Sequence, residues 1–218
     1  MATPSARVCF IVDGFNLYHS VRSAEDDLHQ SLRWLDIAGL CASLLSAIRP
    51  HTGPSVLGDI HYFSAYADHM ESRRPGTVQR HKVYVSALTD TGVLPEMAQF
   101  KRKDMRCPRC NRTFTRYEEK ETDVAIACKL LEITAQPTCD AAVLMTGDTD
   151  LVPAMKTSRR LVPRTLLGIA SPYKRGNNAL VHSADFSIKL SSRHYVKYQL
   201  PDPLVTANWV ALAKPSNW

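Results

Sequence analysis

An apolar run that ends in two closely spaced carboxylates constrains this sequence more than any other feature. Residues 141–145 read Ala-Ala-Val-Leu-Met, and residues 146–150 read Thr-Gly-Asp-Thr-Asp. A continuous apolar run before a tight polar turn is typical of a buried parallel strand, and residues 151–160 predict a helix after it. At the carboxyl end of such a strand, Asp148 and Asp150 would point into the crevice where α/β proteins bind ligands. The alternative is structural, because a Gly-Asp turn can simply cap the next helix.

Two further acids are predicted to reach the same crevice. The apolar strand Arg7 to Val12 ends at Asp13, and Asp123 lies at the start of a helical pattern over residues 122–134. Carboxylates gathered at close range repel one another, and proteins that gather them usually place a divalent cation between them. The sequence therefore predicts a Mg²⁺ or Mn²⁺ site formed by Asp13, Asp123, Asp148 and Asp150.

The segments that carry these acids resemble the three signatures of the NYN domain, a branch of the PIN-like ribonuclease superfamily. They are Val-Asp-Gly-Phe-Asn at 12–16, Thr-Asp-Val-Ala-Ile-Ala at 122–127 and Thr-Gly-Asp-Thr-Asp-Leu-Val-Pro at 146–153. The resemblance, to proteins of the LabA and limkain type, extends over about residues 7–190. It implies a three-layer α/β/α sandwich with a mainly parallel sheet and a metal-dependent ribonuclease activity.

The resemblance also implies roles for individual residues. Asp13 and Asp148 would be direct metal ligands, and Asp123 and Asp150 would complete the cluster directly or through water. Asn16 matches the asparagine that follows the first aspartate in the family, and it could orient a water molecule or the scissile phosphate. These five residues are the predicted catalytic set.

Other polar residues are candidates for substrate contacts. Thr146 could hydrogen-bond to a metal ligand or to a phosphate oxygen, or it could merely end its strand. Lys174, Arg175 and Asn177 lie in a polar loop after the last predicted core strand, on the expected active-site side. They could bind RNA phosphates, although any surface loop can be basic.

The basic excess of the chain is concentrated in residues 101–120. This segment holds eight basic and three acidic residues, whereas the net charge of all 218 residues is +6 and the pI is about 9.1. We predict a β-hairpin inserted into the domain, with Arg106, Arg109 and Arg112 contacting RNA phosphates. The alternative is a surface hairpin that serves solubility or dimer contact.

The predicted hairpin tip contains Cys107-Pro108-Arg109-Cys110, which has the spacing of a zinc knuckle. A structural zinc site needs four ligands, and the sequence has no second CxxC pair. His69 and His81 are remote candidates, and a second copy of the chain could donate two thiolates, which would make a homodimer. A free or redox-active cysteine pair is the alternative.

Strands that alternate with helices predict a parallel sheet with helices on both faces. The expected organisation is a loose leader (1–6), one α/β domain (7–190) with the inserted hairpin (101–120), and an irregular C-terminal tail (191–218). Within the domain we predict strands at 7–12, 56–67, 93–100, 141–145 and 164–170, a polar loop at 25–30, and helices at 31–48 and 178–186.

Composition narrows the class of protein. No stretch reaches the roughly 18 apolar residues of a membrane span, and the first residues lack the apolar core of a secretory signal, so we expect a cytoplasmic, reduced protein. A haloacid dehalogenase-type phosphatase would need a second aspartate at position 15, where this chain has Phe15. The prediction is hydrolysis of single-stranded RNA; a DNA-directed nuclease or a non-catalytic RNA-binding or scaffold module are the alternatives.

Overall fold

The computed structural model describes residues 5–216, apart from the side chains of residues 116 and 118–120. Most of the predicted leader therefore lies outside the described residues. The strands are β1 (Ala6–Asp13), β2 (Ser55–Ala65), β3 (Val93–Arg106), β4 (Thr113–Lys120), β5 (Ala141–Met145), β6 (Leu166–Ser171), β7 (Phe186–Lys189), β8 (Leu204–Val205) and β9 (Ala211–Leu212). The helices are α1 (Gly14–Leu28), α2 (Ile37–Thr52), α3 (Thr77–Asp90), α4 (Thr122–Ala135), α5 (Val152–Leu161), α6 (Asn178–Ser183) and α7 (Ser192–Lys197).

The main sheet has seven strands in the order β4-β3-β2-β1-β5-β6-β7. All neighbouring strands are parallel except β3 and β4, which form an antiparallel hairpin. The chain runs from β1 outward to β2 and β3, and it later continues from β5 outward on the other side of β1. The strand order therefore reverses between β1 and β5. In α/β sheets, ligands usually bind at such a switch point, in the crevice at the carboxyl ends of the two strands.

The alternating side chains of β1 separate two apolar cores. Val8, Phe10 and Val12 pack on one face with residues of α1, α2, α3 and α7, whereas Cys9 and Ile11 pack on the other face with residues of α4, α5 and α6. A strand that is apolar on both faces needs helices on both sides of the sheet. The predicted three-layer α/β/α sandwich is therefore confirmed.

The polar segment at residues 25–30 was wrongly predicted to be a loop. Helix α1 continues to Leu28, because the Glu25 carboxylate is buried and accepts hydrogen bonds from the backbone N–H of Leu32 and from Nε of Arg33. The next helix also begins later than predicted. Asp36 caps α2 by accepting a hydrogen bond from the backbone N–H of Gly39, and residues 31–36 lie outside any helix.

The C-terminal part of the chain is more ordered than predicted. The helix expected at 178–186 ends at Ser183, and β7 follows as a parallel edge strand beside β6. The expected irregular tail contains α7 and the antiparallel pair β8–β9. Two hydrogen bonds join this C-terminal segment to the core residue Trp34. The backbone N–H of Leu200 donates to the Trp34 carbonyl, and Nε1 of Trp34 donates to the Pro201 carbonyl.

The basic hairpin is formed as predicted, but it is the outer half of a core strand. β3 pairs with β2 through Ala98 and then continues without interruption to Arg106, where it pairs only with β4. His69 supports the hairpin base, because its ring lies 4.5 Å from the Phe100 ring and 4.6 Å from the Tyr117 ring. Among the described residues, no helix is long and apolar enough to cross a membrane.

Candidate active site

Asp13 is the buried centre of the site. It ends β1, where its Oδ1 accepts a hydrogen bond from the backbone N–H of Asn16 (3.0 Å) and its Oδ2 accepts one from Oγ1 of Thr146 (2.8 Å). Its side chain is only 5% exposed. Burial raises the pKa of Asp13 and the Asp148 carboxylate raises it further, while the hydrogen bonds oppose the shift. The protein thus holds a carboxylate where its charge is unfavourable without a cation.

Thr146 holds the two strand ends together. Its hydroxyl donates to Asp13 and accepts a hydrogen bond from the backbone N–H of Asp148 (3.0 Å), and the residue is fully buried. Of the two contacts predicted for Thr146, the structure shows the hydrogen bond to a predicted metal ligand, Asp13, and the contact with a phosphate oxygen stays a prediction. Thr146 is a positioning residue for two of the predicted ligands.

The sequence left two roles open for Asp148, a cap of the next helical turn and a residue of the ligand-binding crevice, and its position is compatible with both. Its Oδ1 accepts a hydrogen bond from the backbone N–H of Asp150 (2.9 Å), so that it caps the short 3-10 turn Thr149–Leu151. The same residue also lines the cavity that contains Asp13. Asp150 is exposed and does not line this cavity, although its charge acts on Asp123.

Asn16 joins α1 to the turn after β5. Its Oδ1 accepts a hydrogen bond from the backbone N–H of Gly147 (3.1 Å). Only glycine fits at position 147, because a Cβ there would lie 2.1 Å from the carbonyl oxygen of Arg175. The close approach brings the loop that carries Arg175 against the acidic turn.

These contacts enclose a cavity of about 190 Å³ at the carboxyl edge of the sheet. It is lined by Asp13, Phe15, Asn16, His19, Thr122, Asp123, Asp148 and Arg175. The structure therefore brings together three of the four predicted acids, the predicted asparagine and one of the predicted basic residues. One cation, Arg175, lies among three carboxylates.

The acids form one electrostatic unit. Partial burial raises the pKa of Asp123, and the charges of Asp148, Asp13 and Asp150 raise it further. Clustered carboxylate oxygens are the donors that Mg²⁺ and Mn²⁺ prefer, so the donor set fits a hard divalent ion. Within the described ranges, however, no three His, Cys, Asp or Glu side chains are close enough to hold one ion directly. The carboxylates share a cavity without forming a closed ligand shell.

Two residues of the predicted basic loop have other partners. Lys174 pairs with Asp27 of α1 at 2.6 Å and does not line the cavity. Asn177 caps α6, because its Oδ1 accepts a hydrogen bond from the backbone N–H of Ala179 (2.9 Å). Lys174 and Asn177 thus have partners within the protein, whereas Arg175 lines the acid cavity, and the phosphate contacts of all three residues stay predictions.

The sequence interpretation missed three cavity residues: Phe15, His19 and Thr122. His19 follows Asn16 by three positions on α1, and this spacing places both on one helix face. Partial burial and the Arg175 cation lower the pKa of His19, and Asp13 opposes them. The i, i+3 relation to Asn16 was the signal that could have identified it.

The hairpin residues lie outside this cavity. Arg106, Arg109 and Arg112 are exposed. Cys107 and Cys110 are free thiols at the tip, and the backbone N–H groups of Cys110 and Arg109 lower the pKa of Cys107. Across the described part of the chain, neither His69 nor His81 joins them in a group of three metal-binding side chains. A zinc site within one chain is therefore not supported.

The fold and this cavity define an α/β protein with a carboxylate cluster at the switch point of a parallel sheet. The sequence profile of the NYN domain matches residues 7–191, so the chain belongs to the NYN domain family, which has a PIN-like fold and nuclease-type function. The LabA and limkain subgroup stays a prediction.

A solved structure shares this fold. The crystal structure of a protein of unknown function from Vibrio parahaemolyticus is similar with a TM-score of 0.54 and 13% sequence identity, over 88% of this chain and 96% of that chain. At this identity the similarity concerns the fold alone. No curated protein has significant sequence similarity to this chain.

Proposed function

We propose that this protein is a metal-dependent ribonuclease that hydrolyses phosphodiester bonds of single-stranded RNA. The observation that carries the proposal is the convergence of Asp13, Asp123 and Asp148 on one cavity, at the switch point of the sheet and beside Arg175. Membership of the NYN family supports a nuclease reaction there.

The three cavity acids, with Asp150 close by, are the residues that would hold Mg²⁺ or Mn²⁺. When bound, such an ion supplies charge neutralisation for the phosphate and lowers the pKa of a coordinated water. The hydrogen bonds from Asn16 and Thr146 fix both oxygens of Asp13 in one orientation, which prepares the site before substrate arrives.

The remaining cavity groups act on the RNA itself. Arg175 can donate hydrogen bonds to the scissile phosphate and offset its charge. His19, whose pKa is lowered, presents an uncharged imidazole at neutral pH that can accept or donate a hydrogen bond to the attacking water or to a sugar hydroxyl. The shape of the site, open at the sheet edge, suits a single strand.

A cleavage assay tests the proposal. Labelled single-stranded RNA and DNA of the same sequence are incubated with the protein and Mg²⁺, Mn²⁺ or a chelator. We expect RNA cleavage only with a divalent ion, and products that carry a 5′-phosphate and a 3′-hydroxyl. Preferential cleavage of the DNA would indicate a DNA-directed nuclease, and binding without cleavage would indicate a non-catalytic RNA-binding module.

Two variants assign the reaction to the cavity. Asp13→Asn and Asp148→Asn should each lower the cleavage rate by roughly a hundredfold or more, the effect of removing one charged group from a preorganised site. Asp26→Asn is the matched control, because Asp26 is an exposed carboxylate of α1 that does not line the cavity. Cleavage that survives complete chelation, or products with a 2′,3′-cyclic phosphate, would exclude the mechanism.

A further inference from the structure

A second cavity of about 280 Å³ lies beside the acid cavity at the same edge of the sheet. It is formed between the carboxyl end of β2, the beginning of α1 and the helix α3. Phe15 lines both cavities, so the two spaces are neighbours along the carboxyl edge. The register of β1 and β2 agrees with this, because Asp13 is paired with Phe63 two residues before the end of β2.

The walls of this second cavity are largely aromatic and aliphatic. Tyr18, Tyr62 and Tyr84 line it together with Leu17 and Leu35. The Tyr84 hydroxyl donates to the Leu35 carbonyl (2.9 Å). Tyr84 therefore contributes mainly its ring to the cavity wall. Tyr18 is 45% exposed, so part of its ring is accessible to a ligand that enters the cavity.

Uncharged polar groups are built into the same wall. Oγ of Ser64 lies 3.5 Å from Nε2 of His81, and both residues line the cavity. Burial lowers the pKa of His81 to about 4, so its imidazole is neutral at pH 7. A hydroxyl and a neutral imidazole can each donate or accept hydrogen bonds, which suits the mixed donor and acceptor edge of a heterocyclic base.

Two arginines at the cavity supply positive charge. Arg74 and Arg80 line it, and within residues 5–216 neither forms an ion pair with a described acid. Arg33 also lines it, but the buried Glu25 carboxylate compensates that charge at 3.0 Å. Arg80 has protein partners of its own, because its guanidinium donates to the Pro75 carbonyl and to Oγ1 of Thr77 (both 3.2 Å) and its charge also acts on the Glu71 carboxylate. An apolar ligand would gain nothing from these two guanidinium groups, whereas a phosphate would.

We infer that this cavity is a nucleotide subsite: it receives one nucleobase of the RNA strand, with Arg74 and Arg80 on the adjoining phosphate, while the scissile phosphate lies in the acid cavity. The inference rests on the proposed function for its substrate. Aromatic rings that stack on a base, together with cations that follow the backbone, are the usual means of binding single strands. The volume is close to the lower limit of roughly 300 Å³ for small-ligand pockets, which suits one base rather than a longer segment.

The experiment separates base binding from cleavage. The full chain carrying Asp148→Asn is titrated with 5′-AMP, GMP, CMP and UMP in the presence of a chelator, and dissociation constants are measured by calorimetry. At least one mononucleotide should bind. Tyr18→Ala should then weaken that binding by about five- to 150-fold, which corresponds to the 1–3 kcal/mol of one base stacked on an aromatic ring.

Further variants keep the test independent of folding defects. Arg74→Ala should also weaken mononucleotide binding, and Arg74 is exposed, so its loss does not disturb the core. Arg160→Ala is the matched control, because Arg160 is an exposed arginine at the end of α5 that does not line the cavity. Thermal unfolding of each variant verifies the fold.

The outcomes for the two ideas differ. If no mononucleotide binds, or if Tyr18→Ala and Arg74→Ala bind as tightly as the parent, the subsite does not exist, even when RNA is cleaved. If mononucleotide binding follows the variants but RNA is not cleaved, the cavity is a nucleotide site and the proposed ribonuclease function is wrong.

Discussion

Single residues of the same charge have different roles here because their partners differ. Lys174 and Arg175 are consecutive, yet Lys174 pairs with Asp27 while Arg175 lines the acid cavity. Glu25 and Asp13 are both buried acids, but Glu25 forms an ion pair with Arg33 at 3.0 Å, whereas Asp13 forms no ion pair with any described residue and accepts hydrogen bonds from Asn16 and Thr146. An acid without a cation partner in a cavity is a better functional candidate than one with a partner.

His81 predicts a pH dependence of stability. Its pKa is about 4 in the folded protein because of burial, and the ordinary value is 6.5. Below pH 6.5 the unfolded chain binds a proton that the native state does not bind until about pH 4, so stability falls as the pH falls through this window. The loss is at most about 1.4 kcal/mol per pH unit. Urea unfolding at pH 7 and pH 4.5 should show it, with a smaller difference for His81→Gln.

The matched control for this measurement is His182→Gln, a histidine of α6 on the protein surface. We expect its two unfolding curves to differ as those of the wild type do. Identical pH responses for wild type and His81→Gln would show that burial of His81 does not govern acid stability.

At the scale of secondary-structure elements, the basic hairpin of β3 and β4 divides its charges into two groups. Lys101 pairs with Glu121 and Arg102 pairs with Asp104. In the part of the chain that the structure describes, Arg106, Arg109 and Arg112 near the tip form no ion pair with an acid. The arginines without an acidic partner are therefore concentrated near the tip. At this position they could bind phosphates of an RNA strand at a distance from the acid cavity.

We therefore expect the triple variant Arg106→Ala, Arg109→Ala, Arg112→Ala to bind RNA with a weaker dependence on salt. Each phosphate contact contributes roughly −0.7 to the slope of log affinity against log salt for single strands, so the slope should flatten by about 2. Binding is measured in the Asp148→Asn background, so that substrate is not consumed.

The matched control replaces Lys156, Arg160 and Arg164, which are exposed on and after α5. Cleavage at saturating RNA should change little in both triple variants, because the cavity acids are intact. An unchanged salt slope in the hairpin variant would exclude phosphate binding by the hairpin and would favour its role in solubility or dimer contact.

Helix α7 supports the loop that carries Arg175. The Tyr195 hydroxyl accepts a hydrogen bond from the backbone N–H of Tyr173 (3.1 Å) and lies 2.7 Å from Oγ of Ser20, which donates to the Tyr173 carbonyl. Tyr195→Phe removes the hydroxyl from this buried group, and we expect a loss of about 1–3 kcal/mol in the free energy of unfolding. Tyr198→Phe, a partly exposed neighbour, is the control, and equal stability of the two variants would contradict the supporting role.

At the scale of the whole molecule, the acid cavity links stability to divalent ions. Asp13, Asp123 and Asp148 repel one another in the absence of a cation, and a ligand that binds only the native state stabilises it. With Mn²⁺ at a hundred times its Kd, the gain is about 2.7 kcal/mol. For a chain of this size, that corresponds to a rise in Tm of roughly 5–11 °C.

The Asp13→Asn variant isolates this effect. Without divalent ions it should be at least as stable as the wild type, because one charge is removed from a repelling cluster. With Mn²⁺ its Tm should rise much less than that of the wild type. An equal rise in both proteins, measured by calorimetry in the same buffer, would place the bound ion elsewhere.

The sequence by itself determined the layer architecture and the position of the acids. Apolar runs that end in carboxylates identify buried strands and their carboxyl ends, and this local pattern sufficed for Asp13 and Asp148. The NYN family assignment followed from three short segments. The sequence also predicted the position of the hairpin, because its turn and its basic residues are contiguous in the chain.

Only the tertiary structure decided which side chains meet. The polar sequence around Glu25 predicted a loop, but Glu25 is a helical residue whose carboxylate binds Leu32 and Arg33. The sequence likewise contained no sign that Lys174 pairs with Asp27. β7 and the second cavity likewise depend on contacts between segments that lie far apart in the chain. Local periodicity reports the environment of a residue and not the identity of its distant partner, and that partner determines whether a charge is neutralised or free to bind.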